Sequence, residues 1–138
     1  MDAQDFTDVI QVCTDGSSLS AKGITTAVEL AQTMGLPLLG MTVVKGEVPA
    51  DGLEGEPAEV RERLDVVAKQ AQEAGVRYRI IAEHAATPHE GILDVAMRYD
   101  ARFIVMASRG LSSLGSLFLG SETQKTLAEA DRPVLVIR

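Results

Sequence analysis

The chain has 138 residues, a formal net charge of −7 and a sequence pI near 4.8. That acidic balance argues against nucleic acid or an anionic membrane surface as the main partner. No apolar stretch approaches the roughly 18 residues of a membrane span, so membrane insertion is not expected.

In chain order, residues 9–13 form a short apolar strand closed by Thr14, Asp15 and Gly16. Ser17 or Ser20 can cap the helix that follows, in which Ile24, Ala27, Val28, Ala31 and Met34 recur at helical spacing until Gly35 stops it. Residues 36–44 are mostly apolar, as a strand covered on both faces requires. Residues 45–57 hold three Gly, two Pro and four acidic residues and read as a mobile loop. A helix over 59–74 shows Val60, Leu64, Val67 and Ala71 on one face, and 76–83 is the third strand. Thr87, Pro88 and Glu90 spell a capped helix start with a capping box, and Ile92, Val95, Ala96 and Tyr99 form that helix's inner face. Residues 102–106 are the fourth strand. A loop over 108–119 then leads to a second capping box at Ser121 and Gln124, a helix to Ala130 and a last strand over 133–138.

Strands and helices alternate without a linker, so the expectation is one domain over 1–138 of the α/β class. It would be a doubly wound five-stranded parallel sheet with helices on both faces. In such sheets ligands sit beyond the C-terminal strand ends, where strand order reverses. Two strand ends carry suitable residues, Thr14 to Gly16 and Ala107 to Gly110, and they fit one shared crevice. Gly110 permits a tight turn or close approach, and Gly120 with Ser121 opens a helix whose N–H groups favour an anion.

Four segments together resemble the universal stress protein family. Asp15, Gly16 and Ser17 follow the first strand as in that family, and Met106 to Gly110 looks like its Met-Gly-x-Arg-Gly. Nine residues then separate Gly110 from Gly120 and Ser121, and Pro133 to Ile137 looks like the closing strand. The resemblance implies strand order 3-2-1-4-5, a homodimer, and ATP or AMP in the crevice. It places the nucleotide site at Thr14 and Asp15, at Val43, at Met106, Ala107, Ser108, Arg109 and Gly110, and at Gly120, Ser121, Glu122 and Thr123. Asp15 would contact ribose or phosphate, directly or through magnesium, and Val43 would touch adenine. Gly110, Gly120, Ser121 and Thr123 would hold phosphates.

Ala107 stands where the family has its first glycine. A positive φ there would cost alanine on the order of 1 kcal/mol, whereas a glycine kept only for close approach leaves room for a methyl. Glu122 beside the phosphate-facing helix start implies repulsion, although acids are also normal first-turn residues.

Other chemistries find no support. The P-loop pattern, Gly-x-Gly-x-x-Gly, Gly-x-Ser-x-Gly and Cys-x-x-Cys are all absent. Cys13, the only cysteine, reads as a buried, inert thiol. His84 and His89, the only histidines, have no third ligand for a metal and read as surface or capping residues. Asp15 and Arg109 each have a bland alternative, turn-former and solvated loop cation. Ser121 is expected to cap its helix whether or not it binds phosphate.

The expected function is a regulatory adenine-nucleotide-binding sensor or adaptor in the cytoplasm. A nucleotide-free dimeric module for a protein partner and a weak ATPase are the alternatives. The last strand, 133–138, is the expected dimer edge. The apolar run 114–119 is either a partner surface or folded back on the core.

Overall fold

The computed structural model describes residues 5–109 and 119–138. Its strands are β1 (Ile10–Cys13), β2 (Leu38–Val44), β3 (Tyr78–His84), β4 (Phe103–Ala107) and β5 (Val134–Ile137). The α-helices among the described residues are α1 (Ser18–Met34), α2 (Ala58–Glu73), α3 (Pro88–Arg98) and α4 (Ser121–Glu129). The strands form one parallel sheet in the order β3-β2-β1-β4-β5, as expected. Ile10 of β1 lies beside Leu38 of β2 and Phe103 of β4, so the strand order reverses at β1.

Each strand sends alternate side chains to opposite faces, and this builds two cores. Ile10, Val12, Leu38 and Val105 meet Ile24, Ala27, Val28 and Ala31 of α1 and Val67 and Ala71 of α2. Leu39, Met41, Ile104 and Met106 meet Ile92, Val95 and Ala96 of α3 on the other face. The α2 stripe of Val60, Leu64, Val67 and Ala71 is buried, and complete burial of a side chain such as Leu64 contributes about 1.5–3 kcal/mol. Met34 departs from the expected inner face of α1: it lies in the last turn and is 37% exposed. Tyr99 is the C-cap of α3 and, partly buried, packs against the same core as that helix, edge-on to Phe6.

Both expected capping boxes fail, for tertiary reasons. Ser17 does cap α1, accepting from the Ser20 N–H at 3.1 Å. Thr87 occupies the N-cap of α3, but its hydroxyl makes no capping bond and is buried without a partner. The carboxylate of Glu122, from α4, reaches this helix start instead. At α4 the N-cap is Gly120, not Ser121. The Gly120 N–H bonds to the Ser108 carbonyl at 2.7 Å and holds residue 120 extended, so Ser121 becomes the first helical residue.

The loop between β2 and α2, read from the sequence as mobile, has structured points of contact. Gly52–Gly55 forms a short helical turn, and the Glu56 side chain beyond it is buried. A buried carboxylate needs a partner, and His84 at the end of β3 supplies it at 2.6 Å from Nε2. The other ring nitrogen, Nδ1, lies 3.0 Å from the Gly46 carbonyl. Both neighbours are acceptors, so the ring satisfies both only with a proton on each nitrogen. The Glu56 hydrogen bond holds the His84 imidazole above its ordinary 6.5. His84 is thus neither a surface nor a capping residue.

Candidate nucleotide-binding site

A cavity of about 360 Å³ opens at the C-terminal ends of β1, β2 and β4, where the strand order reverses. This is the crevice expected from the two polar strand ends. Its volume lies at the lower end of the roughly 300–1,000 Å³ usual for small-molecule sites.

The β1 end supplies Thr14 and Asp15. The Thr14 hydroxyl accepts from the Gly16 N–H at 3.1 Å and lies 3.1 Å from Ser20 Oγ. Ser20 Oγ gives its proton to the Ser17 carbonyl at 2.9 Å, so Thr14 must donate to Ser20. Thr14 is therefore committed to holding the turn. One oxygen of Asp15 accepts from the Ser17 N–H at 2.9 Å, an Asx turn that aims the carboxylate at the cavity edge. Turn-forming and ligand-facing positions coincide in this residue.

Val43, near the end of β2, and Pro88 and Ile92 from the first turn and a half of α3 supply apolar wall. Met106, though buried, lines the cavity, as does Cys13. Desolvation pushes the Cys13 thiol up to about 12, which keeps it protonated and unreactive.

The β4 end supplies Ala107 and Arg109, and the α4 start supplies Gly120 to Thr123. Ala107 pairs with Ile137 inside the parallel ladder, and among the described non-glycine residues only Asp8 and Asp100 have positive φ. The alanine therefore carries no left-handed strain. Ser108 is buried, with its N–H on the Ile137 carbonyl and its own carbonyl on the Gly120 N–H, both at 2.7 Å. A Cβ at Gly120 would stand 3.3 Å from Arg109 Cα, so this glycine serves close approach. Gly110 and residues 114–118 of the expected apolar run lie outside the described residues.

The Gly120 N–H, expected to face a phosphate, is consumed by Ser108. The donors left open come next. Gly120 has no side chain to cap α4, so the N–H groups of Ser121, Glu122 and Thr123 have no acceptor among the described residues. The Thr123 hydroxyl donates to the Ala107 carbonyl at 2.9 Å, tying this helix start to β4. Glu122 turns toward α3, with Oε2 3.0 Å from His89 Nδ1. His89 Nε2 in turn lies 3.5 Å from Glu129, so this histidine bridges two helices rather than capping one.

Sequence reasoning missed Arg63, which reaches the cavity from α2. The signal was present: Arg63 lies between the buried Val60 and Leu64 on the helix, at the edge of the inward stripe.

The universal stress protein family model matches residues 7–138. The Thermus aquaticus "Universal stress protein in QAH/OAS sulfhydrylase 3'region" is 38% identical over 131 residues, covering 90% of this chain and 93% of that one. The Archaeoglobus fulgidus universal stress protein solved in complex with dAMP superimposes with TM-score 0.72 at 19% identity, covering 96% of this chain and 98% of that one. A universal stress protein solved in complex with cAMP gives TM-score 0.75 at 19% identity, with the same coverage of 96% and 98%. No helix among the described residues is long and apolar enough to cross a membrane. With its family match spanning nearly the whole sequence and a relative 38% identical over 90% of it, the chain belongs to the universal stress protein family.

Proposed function

We propose that the cavity binds an adenine nucleotide, ATP or AMP, and that the protein acts as a nucleotide-responsive sensor or adaptor in the cytoplasm. The observation that carries this reading is the start of α4, which no side chain among the described residues caps. Its three N–H groups without an acceptor among the described residues, and its positive dipole end, stand in the same cavity as the Asp15 carboxylate. An anion at one end and a hydroxyl-bearing sugar at the other suit those two features. Val43, Pro88 and Ile92 offer an apolar wall to the base, and Arg109 stands beside Gly120 to meet phosphate. Asp15 is the residue that would meet a magnesium ion accompanying a triphosphate. The dAMP and cAMP complexes of structural relatives support an adenine ligand for this fold.

The same reading includes a homodimer through β5. This strand is a sheet edge, and its Leu135 is 36% exposed. An open edge with an apolar side chain favours pairing with a second copy.

Calorimetry with ATP, ADP and AMP, joined to mass spectrometry of ligand released from native protein, tests the nucleotide reading. Binding at micromolar to millimolar strength is expected. No heat and no thermal shift at millimolar nucleotide would overturn it and leave a nucleotide-free interaction module.

A further inference from the structure

Among the residues lining the cavity, Arg63 alone comes from α2. Its backbone is fixed by the neighbouring Leu64, which is fully buried, and by Val60 and Val67 on the same stripe. The side chain lies across the turn after β1. If Gly16 carried a Cβ, that atom would stand 3.0 Å from Arg63 Nε, 3.2 Å from Cγ and 3.4 Å from Cδ. Gly16 has φ +85°, a conformation that strains any other residue. The bare glycine therefore gives the arginine stem its path past Asp15.

The path ends at a junction. A second cavity of about 330 Å³ runs between α1 and α2 and shares Thr14, Asp15, Ser20 and Arg63 with the first. Arg63 is one of the four residues that line both. No hydrogen bond or ion pair within the described residues engages its guanidinium. Its donors thus have no partner among the described residues.

Two arginines thus serve different ends of the cavity. Arg109 follows β4 and lies against Gly120 at the start of α4. Arg63 lies over the β1 turn beside Asp15, and Val43, Pro88 and Ile92 complete that part of the lining. A planar cation with apolar side chains across the space from it suits a flat aromatic ring, because a guanidinium stacks where an ammonium cannot.

We infer that Arg63 contacts the base and ribose of the bound nucleotide, its guanidinium stacked on the purine ring, while the phosphates are held at α4 without it. This rests on the reading of the cavity as a nucleotide site.

The test is calorimetry of the parent, Arg63→Gln and Arg63→Lys with adenosine, AMP and ATP, at low and high salt. Thermal melts establish that the variants fold. Arg63→Gln should weaken all three ligands by the same factor, roughly threefold to tenfold. Arg63→Lys should restore little of the loss, and the salt dependence of ATP binding should be unchanged. A loss that grows with the number of phosphates would overturn the assignment and make Arg63 a phosphate partner. Equal binding by parent and Arg63→Gln would also overturn it while leaving the nucleotide site standing. A parent that binds none of the three ligands would remove both.

Discussion

His89 Nδ1 stands 3.0 Å from Glu122 Oε2 and joins the first turn of α3 to the first turn of α4 at the cavity rim. The contact holds the carboxylate of Glu122, which itself lines the cavity, toward α3. Its position relative to the open N–H groups of α4 would otherwise oppose an anionic ligand.

Breaking that contact should weaken nucleotide binding from a distance. His89→Ala is expected to lower affinity for ATP by roughly twofold to fivefold, because the released carboxylate competes for the α4 donors. Adding Glu122→Gln to His89→Ala should recover the loss. Calorimetry on the single and double variants decides it, and a double variant as weak as the single would reject the explanation.

Gly120 tests the close approach of α4 to β4. Its φ of −63° suits any residue, so conformation is not the constraint. The constraint is space, since a Cβ would already sit 3.3 Å from Arg109 Cα and 3.5 Å from the Ser108 carbonyl. Gly120→Val should lose at least about tenfold in nucleotide affinity, with the sheet retained in circular dichroism. Parent-like binding by a folded variant would put the phosphate site elsewhere.

Ala107 behaves differently. It is a regular strand residue with no positive φ, so glycine there relieves nothing. Ala107→Gly should lower stability by about 0.5–1 kcal/mol through chain entropy. Affinity for AMP should stay within about twofold, since the backbone already has its shape. Tighter binding in the glycine variant would show instead that the methyl obstructs the ligand.

The buried His84–Glu56 pair makes stability depend on pH. The folded protein raises the His84 imidazole above its ordinary 6.5, so folding favours the protonated ring. The pair's stabilisation is fully present below about 6.5 and is lost as pH rises through the raised value. Urea melts at pH 6 and pH 8.5 should show a larger gap between the parent and His84→Asn at pH 6. A gap that is the same at both values, or larger at pH 8.5, would refute the assignment.

Light scattering should give about twice the 14.7 kDa chain mass, the value expected of a β5-paired dimer. Leu135 is exposed on that edge, so Leu135→Lys should shift the particle toward monomer without unfolding it. A monomeric parent at tens of micromolar would end the dimer proposal.

Local patterns in the sequence were enough for the alternation of strands and helices, the buried stripe of α2 and the two strand ends that share the crevice. Those features depend on side-chain spacing and on turn residues such as Asp15 and Gly16, which act within a few positions of themselves. The capping bonds at α3 and α4 were misread because their partners come from farther along the chain. Ser108 takes the Gly120 N–H and so moves the α4 cap by one residue, and Glu122 reaches the α3 start that Thr87 was expected to cap. The same holds for the charges. Glu56 and His84 are 28 residues apart, and His89 and Glu122 are 33 apart, so nothing local announces either pair. Arg63 reaches the cavity only because α2 packs over the sheet beside Gly16. Burial decides these pairings, since a charge or donor removed from water takes whichever partner the packed elements bring within reach.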